Sequence, residues 1–592
     1  MRQAAITAML LVALAICGAP SWADNAPVTE QMIRVRLYAA DQELCISLID
    51  AGMDLLALRP GEWADLWIPA SRLGELEALG YPLEIMRNPP RPVPGYFHRY
   101  AEMLTILQAY AADYPGITSL EDIGDGWGKI YNDPDYPDYD VWALKISDNA
   151  ELDEAEPVIL YTGVHHAREP ATLEICLAIA DFLLTNYGSN PDVTRWVEDH
   201  ETWVVPLVNP DGHWCCTDMD WTMWRKNARD NDGDGAPTPP GWWYPDGVDP
   251  NRNYDWEWGG QGASHDPTSQ TYCGPYAFSE PENQAMRDFH YRELPIFTVD
   301  YHSYGELVMW SYGYNIYATA PDDATLAAIG AEIASHIPAW GGGYYTPQQA
   351  SQLYPASGTS ADWEYGELNV FSYIIEACTD FYPSENELNF AIQGNVQGAI
   401  CLQERVDGPG VRGTIRVNGV PAEATITIVG LDDPPYNMPR RSHAGLGDYY
   451  RILSPGTYDI RYHAEGWDHI LVEDVVVPEE TFVCIDVNFG ISTAPDLEAA
   501  TIPGFSVFPS PAQSGKPIAF RLPVHRDQLA LLIYDLQGRL VADLSCEARG
   551  ASSSYTWNAA ASLGAGLRAG VYYARLRTET SEAVRRFVVM GH

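Results

Sequence analysis

Three short segments of this chain carry side chains that could do chemistry together. "YTGVHHAREPATLE" sets His165 and His166 side by side with Glu169 close behind, and imidazole and carboxylate at such spacing make a metal-ligand pair. "TVDYHSYGELVMW" puts His302 at a strand end; a third nitrogen or oxygen ligand is what a catalytic zinc site needs, with water completing the tetrahedron. "VFSYIIEACTD" drives an apolar run into Glu376, and a carboxylate among Ile374, Ile375 and Ala377 is costly to bury unless it is paired or employed. "MWRKNAR" and "GVDPNRNYD" supply Arg225, Asn251 and Arg252 in loops, and "LYPASGTSADW" adds a tyrosine, Tyr354. Guanidinium forks suit a carboxylate or a developing oxyanion. Singly, each segment reads as well as a solvated loop or a polar strand end. As a set they point to metal-assisted hydrolysis of a carboxylate-bearing substrate.

The flanking elements must position these groups. "EPVILYTG" is a nearly continuous apolar strand and "PATLEICLAIADFLLTNY" has helical periodicity. The first motif therefore sits at the carboxyl end of a strand, where open α/β sheets build their sites. Over residues 95–406 the strands "DVWALKIS", "PVILYTG", "ETWVVPLV", "IFTVDYH" and "VFSYIIE" alternate with helical stretches. That order predicts an α/β catalytic domain, a central mixed sheet flanked by helices. Residues 24–88 alternate strand-like "QMIRVRLYAA" and "EWADLWIP" with helix-like "DQELCISLIDAG" and "ASRLGELEALG". They read as a small α+β module with its own core, ended by the stiff "RNPPRPVPG" linker. Residues 410–490 and 500–592 are short strands with glycine-rich turns, predicting two carboxyl-terminal β-sandwich domains.

The whole chain sets limits on partners. Its 592 residues exceed one core, and a net charge of −46 argues against nucleic acid or an anionic membrane. Residues 1–23 carry an early arginine, an apolar run and a small-x-small end at Ala23, which predicts a signal peptide and export to the cell surface or beyond. No later stretch reads as a membrane span. The cysteines are scattered and form no disulfide scaffold, although export permits some pairing. "RDNDGDGAP" gives Asp230, Asp232 and Asp234 the spacing of a Ca²⁺ loop but lacks the distal glutamate; a solvated acidic turn is the competing reading.

Over residues 95–406 the motifs, in this order, resemble the zinc metallocarboxypeptidases of the carboxypeptidase A, B and T type. The resemblance implies one Zn²⁺ on His166, Glu169 and His302, with His165 one residue too far back. It matches Glu376 with the general base and acid, and Arg225 with the arginine that steadies the oxyanion. Asn251, Arg252 and Tyr354 match the groups that hold a substrate's terminal carboxylate, Arg168 an outer-cleft arginine, and Asp249 the carboxylate that orients a zinc histidine. Thr222 stands where animal members carry a further arginine, and the cysteines of the animal digestive disulfide are missing. Residues 24–88 resemble a propeptide, 410–490 a transthyretin-like β-domain, and 500–592 a secretion or sorting domain that would engage secretion machinery.

The implied activity is removal of carboxyl-terminal residues from peptides or proteins. Ala361, at the family's pocket-floor position, is small and uncharged, with Met309, Leu353, Ala356 and Ile374 as walls and Gln349 the one polar member. This predicts a preference for apolar or aromatic ends, unless Glu364 or Glu367 reaches the pocket. The rivals are a same-fold amidohydrolase on cell-wall peptides and a catalytically silent adhesion protein; the latter has no need of a buried base such as Glu376.

Overall fold

Between residues 32 and 86, alternating apolar positions pair into a four-stranded antiparallel sheet. Its strands β1 (Met32–Tyr38), β2 (Asp54–Arg59), β3 (Trp63–Pro69) and β4 (Leu83–Met86) lie in the order β2-β3-β1-β4, with helices at Gln42–Asp50 and Leu73–Ala78. Asp41 caps the first helix by accepting the Leu44 N–H. The computed structural model describes residues 30–131, 135–238, 244–432 and 436–490, with strand-forming stretches between 506 and 590. The signal peptide expected over residues 1–23 lies outside these.

The central region builds one eight-stranded sheet from β5 (Thr118–Asp125), β6 (Asp140–Ile146), β7 (Val158–Thr162), β8 (Glu201–Val205), β9 (Phe297–Ser303), β10 (Leu307–Trp310), β11 (Thr346–Gln349) and β12 (Phe371–Ala377). The spatial order is β11-β10-β12-β9-β7-β8-β6-β5. Strands β8, β7, β9 and β12 are mutually parallel, while β5, β6 and β10 add antiparallel pairs. The sheet is mixed, as the strand pattern predicts. Successive residues of β7 enter opposite cores. Ile159 and Tyr161 join the helices Ala171–Asn186 and Glu385–Arg405, whereas Val158 and Leu160 join Met286 and Phe289 of the helix Pro281–Glu293. A strand covered on both faces must be apolar throughout, which is why "VILY" shows no alternation.

The proline-rich linker separates no two cores. Val35, Leu37, Leu44 and Leu66 of the amino-terminal module share one apolar cluster with Leu307, Met309, Leu353, Ala361 and Ile374 of the central region. Polar contacts reinforce this docking. Asp65, held within the module by Arg34 at 2.9 Å and Arg36 at 2.6 Å, accepts from the Tyr304 hydroxyl at 2.5 Å, and Arg34 reaches Asp380.

Beyond the central region, Gly410–Val417 pairs antiparallel with Asp448–Ile452 and parallel with Phe482–Cys484. A second sheet orders Arg440–Arg441, Thr425–Ile428, Gly456–His463 and Ile470–Val477. Among the described residues, those up to 415 and 421–485 belong to one compact unit, and those at 416–420 and beyond 485 to another. Between 506 and 590 the second unit holds two sheets around Phe520, Leu531, Ile533, Trp557 and Phe587. The described cysteines other than Cys484 are buried free thiols, and Cys484 is exposed. No described helix is long and apolar enough to cross a membrane.

Candidate active site

The carboxyl ends of the parallel strands converge on one buried cluster. After β7 the chain makes a tight turn into the helix Ala171–Asn186. Gly163 permits that turn, since a Cβ there would lie 2.9 Å from the Pro206 carbonyl and 3.0 Å from that of Thr172. Thr172 Oγ1 accepts the Val164 N–H at 2.9 Å and donates to the Glu169 carbonyl at 2.8 Å, locking the loop. His166 and Glu169 thereby face inward.

His302 meets them from the end of β9. His166 Nδ1 lies 2.8 Å from Glu169 Oε1, His302 Nδ1 lies 3.0 Å from Glu169 Oε2, and the two Nδ1 atoms are 3.2 Å apart. Asp249 Oδ1 faces His166 Nε2 at 3.2 Å, and the Asn251 amide faces His302 Nε2 at 3.2 Å. Each Nε2 therefore has its own partner, and each Nδ1 is turned to the common centre. Lone pairs of two imidazoles and a carboxylate converging in a buried space fit a small, borderline-soft dication such as Zn²⁺ with one position left open.

The electrostatics follow from burial and contact. Burial lowers His166, with the Arg225 charge adding to it. Burial opposes ionisation of Glu169, but the two imidazoles hold it well below the usual carboxylate range. Asp249 is likewise held low, against burial, by Arg225 and His166. Its Oδ2 accepts from Arg225 at 3.1 and 2.9 Å, and its Oδ1 also caps the turn Pro250–Arg252 by accepting the Asn251 N–H at 2.9 Å. One carboxylate thus orients a histidine, an arginine and the turn that carries Asn251 and Arg252.

Glu376 stands in register with His302 across the parallel pair β9 and β12, so both side chains leave the same face of the sheet. Burial and then the Glu169 carboxylate push it up to about 8; a dication in the cluster acts in the opposite sense. Arg252 is buried and donates to the carbonyls of Gly262 at 3.0 Å and Asn251 at 2.6 Å. It pairs with no carboxylate among the described residues. Tyr354 is half-buried against the pocket cluster.

Some predicted residues stand elsewhere. His165 turns aside to the Tyr254 hydroxyl at 3.1 Å, and its ring stacks on His302 with centroids 5.6 Å apart. Arg168 is wholly buried and gripped by both oxygens of Asp54, at 2.7 and 3.1 Å; nothing in the sequence singled out Asp54. Thr222 is buried, and its carbonyl accepts from Tyr382 at 2.8 Å. Asp300, two residues before His302 on the same face of β9, was also missed. It accepts from Thr162 at 2.5 Å and from Ser360. An aspartate inside an apolar strand run was the available clue.

The pocket region is apolar. Ala361 is fully buried beside Met309, Leu353 and Ile374, and Gln349 is committed to the carbonyls of Tyr312 and Ala318 at 2.8 and 2.7 Å. Glu364 lies 3.0 Å from His290, and Glu367 accepts from Tyr291 at 3.1 Å, so both acids are engaged away from the pocket. The Ca²⁺ reading of Asp230, Asp232 and Asp234 gains no support. Their carboxylates gather, but they accept backbone N–H groups of their own turn from Gly233, Gly235, Asp234 and Ala236. That is the acidic-turn alternative.

A family model described as zinc carboxypeptidase matches residues 103–398, and one described as secretion system C-terminal sorting domain matches 506–590. A zinc carboxypeptidase of Saccharothrix mutabilis subsp. capreolus is 32% identical over 319 residues, covering 52% of this chain and 68% of that protein. Carboxypeptidase A2 of Rattus norvegicus is 31% identical over 303 residues, covering 50% and 66%. Among solved structures, carboxypeptidase A from Helicoverpa armigera shares the fold with a TM-score of 0.53 at 21% identity, covering 64% of this chain and 98% of that one.

Proposed function

The chain belongs to the zinc carboxypeptidase family, and from that premise we propose that it is an exported peptidase removing single residues from the carboxyl ends of peptides. One observation carries the exopeptidase reading: among the described residues Arg252 is a buried guanidinium held by carbonyls and no carboxylate, ready for a terminal carboxylate that would otherwise be costly to desolvate. His166, Glu169 and His302 would hold Zn²⁺, which when bound supplies Lewis acidity to the hydrolysis. Glu376 takes the proton of the attacking water and later delivers it to the leaving amine. Arg225, aimed by Asp249, stabilises the negative oxygen of the tetrahedral species. Asn251, Arg252 and Tyr354 hold the terminal carboxylate, and the apolar surroundings of Ala361 take the last side chain.

Matched peptides ending in Phe and in Arg test this, each with a free and an amidated terminus. The Phe peptide is expected to have the higher kcat/KM by roughly tenfold, because a cation would lose hydration without gaining a counter-charge. Amidated forms should be cleaved poorly, and Arg252→Ala should erase that distinction. Equal cleavage of free and amidated peptides by the native protein would point to an endopeptidase instead.

We also read residues 24–88 as an inhibitory propeptide. Asp54 occupies Arg168, and the module's core runs into the pocket cluster. Cutting the linker near Arg91 and removing the module should raise kcat/KM for long peptides by about tenfold or more, the scale of a freed subsite, and Asp54→Ala should do part of this in the intact chain. Unchanged kinetics after removal would leave the module a purely structural role. The sorting-domain match at 506–590 supports export, with the protein delivered to the cell surface or the medium.

A further inference from the structure

The 410–490 module buries two guanidiniums, Arg440 and Arg451, against the central region, a costly way merely to glue two parts together. Each has a route to the same helix. Arg440 donates to the carbonyls of Leu294 and Pro295, and at 3.2 Å to that of Leu368, the last residue of the helix Ser360–Leu368. A cation at a helix carboxyl end satisfies orphan carbonyls and complements the dipole. Arg451 donates to Asp322 at 2.7 Å and to Asp432 at 2.8 Å. Asp322 in turn accepts from the hydroxyl of Tyr365, on the same helix, at 2.8 Å. The Met438 N–H donates to the Gly366 carbonyl at 2.6 Å, and the Asn369 amide reaches Asp432 at 3.4 Å. Arg440 at Leu368, Met438 at Gly366 and Asp432 at Asn369 thus meet the end of one helix directly, and Arg451 reaches it through Asp322.

The first turn of that helix belongs to the site. The Ser360 N–H donates to Asn251 Oδ1 at 2.9 Å, Ser360 Oγ donates to Asp300, and Ala361 forms the pocket floor. Between the two ends the helix is tightly packed. A Cβ on Gly366 would lie 2.5 Å from the Trp256 ring, and Trp256 stacks on Tyr312, whose hydroxyl donates to the Tyr436 carbonyl. A nine-residue helix in such packing moves as a body and transmits a displacement from one end to the other.

We infer that Arg440 and Arg451 are positioning residues for substrate recognition: through the helix Ser360–Leu368 the 410–490 module fixes where Asn251 and Ala361 stand. The module is then a working part of the pocket, not a detachable adhesive domain. This rests on the carboxypeptidase reading of that pocket.

The test uses the full chain carrying Arg440→Gln, Arg451→Gln, Arg451→Lys or Tyr365→Phe, with zinc content reporting that the metal site is intact. KM for a Phe-ending peptide should rise about tenfold and the preference for Phe over Ala ends should shrink, while kcat at saturation stays within about twofold. The backbone amides of Ser360 and Ala361 should exchange hydrogen faster, and Arg451→Lys should recover part of what Arg451→Gln loses. Variants that melt earlier but keep native KM, native preference and native exchange at Ser360 and Ala361 would overturn the inference, leaving the arginines as glue. Should Arg440→Gln fail to hold zinc, Tyr365→Phe decides by the same measurements. Faster exchange in a chain that cleaves no peptide would uphold the positioning role and sink the carboxypeptidase reading.

Discussion

Glu376→Gln is expected to hold zinc and bind peptides as the native protein does, yet to lose about 10³-fold or more in kcat, the scale of a general base removed from its proton transfer. The substitution is nearly isosteric and leaves β12 unchanged. What it removes is the only function that explains the residue: it closes an apolar strand run and faces the ligand cluster in register with His302. Because the amide cannot take a proton, the step stalls, while Arg252 and the pocket still bind substrate. Metal analysis and peptide affinity measured beside turnover separate the outcomes. A variant with normal zinc and turnover near the native rate would refute the role of Glu376.

His302→Ala should abolish activity by a different route, through the metal. Two of three donors remain, and a site of His166 and Glu169 alone lacks the ligand count of a catalytic zinc centre. The loss should show as chelator-sensitive, substoichiometric zinc in the purified variant, against about one ion per chain in the native protein. Removal of His302 also leaves Glu169 with one imidazole fewer at 3.0 Å, so the vacated carboxylate is buried with less compensation. Equal zinc in the native protein and in the His302→Ala and His166→Ala variants would refute the ligand assignment. His165→Ala offers the contrast: its ring bonds Tyr254, and zinc should be retained.

Much of this site was legible because each group lies at a strand end or beside a glycine- or proline-marked turn, where local pattern fixes position. His166, Glu169, His302 and Glu376 follow apolar runs whose direction already aims them. The mixed sheet was legible for the same reason. Strand β2 was not read, since "DLLALR" shows no two-residue alternation. Nor could the sequence say that the "RNPPRPVPG" spacer folds the module back onto the cleft. Asp54 and Arg168 are 114 residues apart, and proline stiffness says nothing about where a linker leads. Asp300 and Ser360 escaped because their role depends on a hydrogen bond between distant segments. The arginines of the 410–490 module look, in sequence, like ordinary strand charges; only burial makes them unusual.

The buried thiols bear on how far the fold depends on oxidants. An exported chain usually meets oxidants, and many secreted folds answer with disulfides that reductants or thiol exchange can undo. Here the described cysteines, Cys484 aside, are sealed in the interior, where burial keeps them protonated, pushing Cys216 and Cys401 up to about 12. Only thiolates are nucleophilic, so these sulfurs are chemically silent. The fold around these buried cysteines therefore owes nothing to the redox poise of its surroundings. That part should take the same form in a reducing anaerobic niche as in air.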